Sequence, residues 1–274
     1  MLNNERLAVA RGFLLDMDGT FYLGDRLLEG ALYFIELLHK QGKEFLFLTN
    51  NSSRHRSQYA EKITQLGQPL AEESVLTSGE ATALYLKKQY PSASLFLVGT
   101  PSLEEEFRQY GFKLVQHEPQ LVVLGFDTTL TYKKLWALCD FVRSGIPYIA
   151  THPDFNCPTE TGYMPDVGAM IAFVNASTGR LPDLVVGKPN RMIVDAAALK
   201  MHLEVEQLAM IGDRLYTDIA LGQTSGITTV LVLSGDTKIE DIRDSPYKPD
   251  YIFENLAEVA EWLENNNRSI NERG

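Results

Sequence analysis

The stretch "RGFLLDMDGTFYLGD" (residues 11–25) joins a short apolar run to two aspartates, Asp16 and Asp18, that are one residue apart. The run "GFLL" (residues 12–15) has the length and composition of a strand buried in a parallel sheet. Ligands of open α/β sheets bind beyond the carboxyl ends of the strands. An isolated pair of aspartates is more often a turn or cap feature. The rest of the chain therefore decides whether this pair is catalytic.

Apolar runs of the same kind recur along the chain and alternate with amphipathic segments. The further runs are "EFLFL" (44–48), "LFLV" (95–98), "LVVL" (121–124), "YIA" (148–150), "LVV" (184–186), "LAMI" (208–211) and "TVLVL" (229–233). Between the first two strands and after the second, "ALYFIELLHKQG" and "SQYAEKITQLG" have helical spacing and end at Gly42 and Gly67, which suit helix C-caps. The alternation predicts an α/β fold with a doubly wound, parallel, Rossmann-like core.

The length of 274 residues favours two domains over one. Segments with polar residues of catalytic type fall in two clusters, at residues 12–51 and 184–218, and the residues between them have strands and helices of their own. We therefore predict a core domain of residues 1–78 and 184–274. Residues 79–183 are predicted to form an inserted α/β domain.

Charge and composition exclude several classes of partner. The net charge of −11 repels polyanions, and no basic run offsets it, so nucleic acid polymers are not expected to bind. No apolar stretch reaches the roughly 18 residues that span a bilayer. The first residues are charged where a signal peptide needs an apolar segment, and the two cysteines have no paired spacing. We expect a cytoplasmic protein without a membrane partner.

Four of the predicted strands are followed at once by polar residues. Besides Asp16 and Asp18 after the first strand, these are Thr49, Asn50 and Asn51 after "FLFL", Lys188 after "LVVG", and Asp213 and Asp218 after "LAMIG". If the four strands share one sheet, their carboxyl ends lie along one edge. The sequence then predicts a single site that combines acids, a hydroxyl group and an ammonium group.

Such a set suits attack on a phosphate ester. Asp16 can attack phosphorus only if cations offset the repulsion between a carboxylate and a phosphate, which is about 4 kcal/mol per charge pair at roughly 4 Å and an effective dielectric of 20. Asp16 and Asp213 are predicted to hold Mg²⁺, which prefers oxygen ligands, and Lys188 supplies a second positive charge. Asp18 is predicted to act as general acid and then as general base for an aspartyl-phosphate on Asp16.

The segment after the second strand is the predicted phosphate cradle. Thr49 can donate its hydroxyl proton, and the backbone N–H groups of Asn50 and Asn51 form an anion site if they open the following helix. In isolation the same residues also suit an ordinary helix N-cap. The predicted substrate is a small phosphorylated metabolite.

In this order, four motifs resemble those of the haloacid dehalogenase-like hydrolase superfamily: "DMDGT", "FLFLTNN", "VGKP" and "IGDRLYTDI". The resemblance implies a Mg²⁺-dependent phosphatase with the following roles: Asp16 the nucleophile, Asp18 the acid/base and a metal ligand through its backbone carbonyl, Thr49 on phosphate, Lys188 between nucleophile and phosphoryl group, Asp213 a metal ligand, and Asp218 a supporting acid.

Within the superfamily, "LTNNSSR" together with "GDRLYTDI" resembles the NagD-like and p-nitrophenylphosphatase-like subfamily. The resemblance implies an α/β cap domain between the second and third motifs that covers the site and selects the substrate, and it implies a homodimer formed through the cap. Residues 150–170 occupy the place of a cap loop that reads "NPD" in many relatives. Here His152 stands where Asn is usual, so the resemblance does not define how the leaving group is recognised.

Two other functions are compatible with part of the pattern. A phosphotransferase or mutase would use the same core residues and pass the phosphoryl group to a second substrate. A phospho-accepting signalling domain also uses an acidic cluster, a Thr and a Lys on a doubly wound sheet. Asp18 and an insertion of about 100 residues argue against the signalling domain, because an acid/base shortens the life of an acyl phosphate.

Overall fold

The computed structural model of the protein describes residues 5–159 and 162–271, with side chains up to residue 266. The chain divides into two compact units. The first contains the described residues of Met1–Leu48, Ala60–Val75 and Ala197–Gly274, and the second contains those of Thr49–Tyr59 and Leu76–Ala196. The limits of core and cap predicted from the sequence stay a prediction.

A six-stranded sheet has the order β15-β14-β13-β1-β4-β5. Its strands are β1 Gly12–Leu15, β4 Glu44–Thr49, β5 Val75–Thr77, β13 Leu208–Gly212, β14 Thr228–Val232 and β15 Tyr251–Phe253. The pairs of β1 with β13 and β4, of β13 with β14 and of β14 with β15 are parallel. The strand order reverses direction next to β1, as in doubly wound folds, so the predicted α/β class is confirmed.

Strand β1 lies between β13 and β4, and all four of its residues are buried. At Gly12 a Cβ atom would lie 2.6 Å from Leu208 Cδ2 and 2.7 Å from Leu203 Cδ1, so any larger residue would have to displace these two side chains. The registers pair Leu15 with Ile211 on one side and with Phe47 on the other. The residues that follow β1 and β13 therefore leave the sheet side by side.

A five-stranded sheet in the order β12-β9-β8-β6-β7 belongs to the second unit. Its strands are β6 Ser94–Val98, β7 Lys113–Leu114, β8 Leu121–Leu124, β9 Tyr148–Ala150 and β12 Leu184–Val185. Their inner residues pack with two helices in one apolar cluster that includes Val122, Leu138 and Val174.

The expectation that all four motif-bearing strands share one sheet is wrong for "LVV". Leu184 and Val185 pair with Ile149 and Ala150 of β9, in the five-stranded sheet. A strand of two paired residues carries too little pattern to identify its neighbour, because apolar runs of the same composition suit either sheet. Only the packing of the rest of the chain decides which sheet it joins.

Eleven helices lie among the described residues. They are α1 Arg6–Val9, α2 Ala31–Lys40, α3 Arg56–Gln65, α4 Ser78–Gln89, α5 Pro101–Gln109, α6 Tyr132–Arg143, α7 Val167–Thr178, α8 Arg191–Met201, α9 Ala220–Ser225, α10 Asp241–Asp244 and α11 Leu256–Asn271. Beyond α2 and α3, Gly42 and Gly67 have φ values of 64° and 111°, which confirms the predicted glycine ends of these helices. No helix in the described part of the chain is long and apolar enough to span a membrane.

Two antiparallel hairpins complete the structure. The first pairs β2 Tyr22–Leu23 with β3 Arg26–Leu27, directly after the "DMDGT" motif. The second pairs β10 Asn156–Thr159 with β11 Gly162–Pro165 and is exposed to solvent along nearly its whole length. Neither was predicted, because runs of two to four residues in polar surroundings lack a periodic signal.

Candidate active site

Asp16 and Asp213 are brought together by the pairing of β1 with β13. Asp16 directly follows β1, and its N–H donates to the carbonyl of Ile211 at 2.9 Å, which continues the ladder by one residue. Asp213 directly follows β13. One carboxylate oxygen from each of Asp16, Asp213 and Asp218 lies within 4.8 Å of the others. The first unit thus contains a cluster of three carboxylates at the predicted strand ends.

Asp218 enters this cluster from a π-helical turn, Leu215–Ile219, that follows the strand. Its side chain is fully buried, and its Oδ2 accepts from the N–H of Arg214 at 3.1 Å. A Cβ atom on Gly212 would lie 2.3 Å from Asp218 Cγ, so only glycine leaves room for the carboxylate. The sequence assigned Asp218 a supporting role, and the geometry gives it a carboxylate oxygen in the cluster itself.

Two backbone turns close around the Asp213 carboxylate. Its Oδ2 accepts from the N–H of Asp236 at 2.7 Å, and its Oδ1 accepts from Thr20 Oγ1 at 3.4 Å. Cβ atoms placed on Gly19 and Gly235 would lie 2.3 Å and 2.0 Å from Asp213 Oδ2. A side chain at either position would displace the Asp213 carboxylate, so the two glycines as well as the hydrogen bonds hold it in place.

The pKa of Asp213 is raised to about 7. Burial is the largest cause, and the neighbouring carboxylates of Asp16 and Asp218 add to it. The N–H of Asp236 and the positive charge of Arg214 act in the opposite direction but do not cancel the effect. Burial and the neighbouring carboxylates therefore disfavour the ionised form of Asp213 when no cation is bound. A hard divalent cation with oxygen ligands fits this donor set, and Mg²⁺ is such an ion.

Asp18 lies in a tight turn between β1 and the first hairpin. The carbonyl of Met17 accepts from the N–H groups of Phe21 and Tyr22 at 2.9 Å and 3.1 Å, and Gly19 adopts a φ of 88°. Loss of hydration in its crowded surroundings raises the pKa of Asp18, and the Asp16 carboxylate raises it further. Because the side chain keeps accessible surface, solvent screens part of this effect.

Two cations lower the pKa of Asp18 and were not assigned to the site from sequence. They are Lys62 of α3, whose Nζ lies 4.1 Å from the centre of the Tyr22 ring, and Arg214. Arg214 directly follows Asp213 in the fourth motif, so its position in the sequence could have indicated that it lies near the site. Lys62 lies in a helix far from every motif, and no sequence pattern connects it with Asp18.

The loop of residues 49–53 begins at the last residue of β4 and belongs to the second unit. Its predicted role as a helix N-terminus is wrong, because α3 begins at Arg56 and not at Asn50 or Asn51. Instead the N–H of Asn51 donates to Thr49 Oγ1 at 3.1 Å, and Asn51 Oδ1 accepts from the N–H of Ser53 at 2.9 Å. The polar run "TNNSSR" closes such side-chain turns on itself and thereby delays the start of the helix.

Asn50 and Lys188, both in the second unit, are joined through the Lys188 backbone. The Lys188 N–H donates to Asn50 Oδ1 at 2.8 Å, and Asn50 Nδ2 donates to the Lys188 carbonyl at 2.9 Å. Asn50 Nδ2 also lies 3.2 Å from Asp154 Oδ2. The Asn50 side chain therefore holds the "VGKP" segment in place. This use of Asn50 differs from the phosphate contact predicted for its backbone.

Gly187→Ala is expected to destabilise the protein and to disturb Lys188. An added Cβ atom would lie 2.6 Å from Asn50 Oδ1 and 2.7 Å from the Thr151 carbonyl, and backbone atoms cannot yield as a flexible side chain does. Overpacking of this kind costs about 1–3 kcal/mol. Urea denaturation of Gly187→Ala and of wild type measures the loss. Equal stability of Gly187→Ala and wild type would contradict the close approach.

The sequence-predicted residues are thus found in two sets. Asp16, Asp213 and Asp218 form one cluster in the first unit, with Asp18 in the turn beside it. Thr49, Asn50, Asn51 and Lys188 belong to the second unit, where Asn50 joins the loop of residues 49–53 to Lys188.

Comparison with known proteins identifies the family. The model described as haloacid dehalogenase-like hydrolase matches residues 13–113, and a HAD-hydrolase-like model matches residues 185–259. The chain is 35% identical to the 5'-nucleotidase YutF of Bacillus subtilis, over 92% of this chain and 98% of that protein. The chain belongs to the haloacid dehalogenase-like hydrolase superfamily. This hydrolase is also 35% identical to an acid sugar phosphatase of Staphylococcus aureus, over 93% of this chain and 98% of that protein.

Among solved structures, 4-nitrophenylphosphatase from Thermotoga maritima matches the hydrolase with a TM-score of 0.91 and 47% sequence identity, over 93% of this chain and 98% of that chain. The hydrolase belongs to the NagD-like and p-nitrophenylphosphatase-like group that its motifs indicated. The two family models include all four motifs, and the stretch between them, residues 114–184, lies almost wholly within the predicted insertion.

Proposed function

We propose that this hydrolase is a Mg²⁺-dependent phosphatase that hydrolyses small phosphomonoesters through an aspartyl-phosphate on Asp16. The observation that carries the proposal is the cluster of Asp16, Asp213 and Asp218, whose carboxylate oxygens lie within 4.8 Å of one another at the ends of paired strands. The phosphatase and nucleotidase names of the relatives support the same activity.

In the proposed reaction an oxygen of Asp16 forms a bond to phosphorus while the bond from phosphorus to the ester oxygen breaks. Asp18 donates its proton to the departing oxygen and becomes a carboxylate. It then removes a proton from water, the water oxygen bonds to phosphorus, and the bond to Asp16 breaks to release inorganic phosphate. The raised pKa of Asp18 favours the protonated form that the first step needs.

The cluster of Asp16, Asp213 and Asp218 would hold the metal, together with the backbone carbonyl of Asp18 that the family resemblance implies. When bound, Mg²⁺ would offset the negative charge of the phosphoryl group and of the attacking carboxylate. In the roles that the resemblance implies, Thr49 and Lys188 bind the phosphoryl group. Lys188 contributes a positive charge, and the residue is only 3% exposed, which strengthens its electrostatic effect.

Residues 79–183 are proposed to act as the cap that selects the substrate. The names of the two relatives, a 5'-nucleotidase and an acid sugar phosphatase, indicate which compounds to test first: nucleoside monophosphates and sugar phosphates. The proposal includes a homodimer, as the resemblance implies, which light scattering would measure.

The test is inorganic phosphate release from a panel of phosphorylated metabolites and p-nitrophenyl phosphate, with Mg²⁺ and with EDTA. We expect Mg²⁺-dependent release that Asp16→Asn lacks. Phosphate transfer to added alcohols in excess of transfer to water would instead identify a phosphotransferase. A phospho-enzyme that persists for minutes to hours would favour a signalling domain, and both results would contradict the hydrolytic function.

A further inference from the structure

His152 and Asp166 form a buried pair that the proposed mechanism does not use. The His152 side chain has no accessible surface, and its Nε2 lies 2.9 Å from Asp166 Oδ1. Asp166 is 3% exposed, and the same oxygen accepts from the N–H of Val167 at 2.6 Å, at the N-terminus of α7. The carboxylate is thereby fixed to a helix, and it orients the imidazole ring.

The other ring nitrogen of His152 faces two hydroxyl groups. Nδ1 lies 3.0 Å from Thr151 Oγ1 and 3.2 Å from Ser78 Oγ. Ser78, the first residue of α4, donates its hydroxyl proton to the carbonyl of Asn50. Thr151 Oγ1 lies 3.0 Å from Ser52 Oγ. Ser78 therefore connects the ring to Asn50, and Thr151 connects it to Ser52. Both Asn50 and Ser52 belong to the loop of residues 49–53.

Asn50 extends this connection to Lys188. Its side chain makes the two hydrogen bonds to the Lys188 backbone, at 2.8 Å and 2.9 Å, and it is 6% exposed. Hydrogen bonds among buried groups in a low dielectric are strong, and removing one member leaves the others unsatisfied. One continuous buried network thus runs from α7 through His152 to both proposed phosphoryl-binding segments of the second unit.

We propose that the His152–Asp166 pair is a positioning element for the phosphoryl-binding groups: it fixes the loop of residues 49–53 and, through Asn50, the backbone of Lys188. The inference rests on the proposed function, because it takes this loop and Lys188 as the groups that bind phosphate. The sequence alone left open whether His152 recognises the leaving group. A side chain without accessible surface makes no such contact, so the loss of His152 affects every substrate equally.

The test compares His152→Ala with wild type on the substrate panel. We expect kcat/KM to fall by about 10–100-fold, as is common for residues that orient a ligand-binding group. The fall has the same factor for every substrate, so the ranking of substrates is unchanged. Inorganic phosphate, measured as an inhibitor and by calorimetry in the presence of Mg²⁺, binds more weakly. His152→Asn keeps a polar group beside Ser78 and Thr151 and retains more activity than His152→Ala.

Asp166→Asn tests the partner of the pair. Asn is as good an N-cap as Asp, so α7 keeps its cap while the negative charge beside the imidazole is lost. We expect a smaller loss of kcat/KM than for His152→Ala. Because the two residues act through one contact, the double variant loses little more than His152→Ala alone. Additive losses would contradict the pairing.

Leu138→Ala is the matched control for stability. Leu138 is fully buried in the apolar cluster of the second unit and is not part of the network. Its truncation costs about 2–5 kcal/mol, so the melting temperature falls while kcat/KM below that temperature stays at the wild-type value. The stabilisation of His152→Ala by Mg²⁺ equals that of wild type, because the acids of the cluster belong to the first unit.

Three results would overturn the positioning role. They are a wild-type kcat/KM in His152→Ala, a changed ranking of substrates, and an unchanged affinity for inorganic phosphate. The calorimetric measurement decides the inference even where no compound is hydrolysed. Lack of hydrolysis by the wild-type protein contradicts the proposed function, whereas a normal rate in His152→Ala contradicts only the positioning role.

Discussion

Asp16→Asn is expected to abolish hydrolysis and at the same time to stabilise the metal-free protein. Loss of the nucleophile lowers kcat by at least about 10³-fold, because the remaining groups bind and orient the substrate without a route to the covalent intermediate. In EDTA, Asp16 contributes a third negative charge to a cluster whose carboxylate oxygens lie within 4.8 Å of one another. We expect the repulsion relieved between Asp16 and Asp213 to exceed the attraction lost between Asp16 and Arg214, so the melting temperature rises.

The size of the stability effect follows from the charges. Two carboxylates about 4 Å apart repel each other by about 4 kcal/mol at an effective dielectric of 20. Because the pKa of Asp213 is raised to about 7, partial protonation already relieves part of this repulsion near neutral pH. We therefore expect a gain of about 1–2 kcal/mol, which calorimetry or urea denaturation in EDTA measures.

Asp244→Asn is the matched control for this prediction. Asp244 is an exposed acid of α10 in the first unit and is outside the cluster, so its replacement changes neither kcat nor the melting temperature appreciably. Wild-type phosphate release by a clean preparation of Asp16→Asn would contradict the nucleophilic role. A lower melting temperature in EDTA would contradict the electrostatic strain assigned to the cluster.

Asp213→Asn is expected to remove the stabilisation that Mg²⁺ gives the protein. A ligand that binds only the folded state stabilises it by about 2.7 kcal/mol at 100 times its Kd, so wild type melts at a higher temperature in Mg²⁺ than in EDTA. In Asp213→Asn this difference is expected to fall to a small fraction of the wild-type value, because a charged ligand becomes a neutral amide. Phosphate release falls with it.

Gly235→Ala provides a second route to the same group without changing its charge. The added Cβ would lie 2.0 Å from Asp213 Oδ2, so the carboxylate must move. We expect a Mg²⁺-dependent shift smaller than that of wild type but larger than that of Asp213→Asn. A full wild-type shift in Asp213→Asn would mean that Asp213 does not bind the metal, and Asp16 and Asp218 would then have to hold it alone.

Much of the fold was predictable, because buried parallel strands leave a strong local signal. All eight apolar runs named from the sequence are strands of the two parallel sheets. The three strands of these sheets that were missed, β5, β7 and β15, are two or three residues long. Over so short a length, periodicity does not distinguish a strand from a loop, and pairing partners decide the outcome.

The acidic half of the site was also predictable, since Asp16 and Asp213 end strands that pair side by side. The sequence did not reveal the steric closure around Asp213, because Gly235 lies more than 20 residues beyond it and contacts it only through the fold. The role of Asn50 was likewise hidden. A residue that bonds the backbone of Lys188, 138 positions away, has no local pattern that indicates it.

By itself the sequence determined the fold class, the family and the acids at the strand ends, because strand periodicity and motif spacing are local properties of the chain. Only the tertiary structure decided which sheet "LVV" joins, that Asp218 shares the carboxylate cluster, and that His152 is buried against Asp166. The physical reason is that these features depend on packing and hydrogen bonds between residues far apart in the chain. Such contacts are specified by the whole fold and by no single segment.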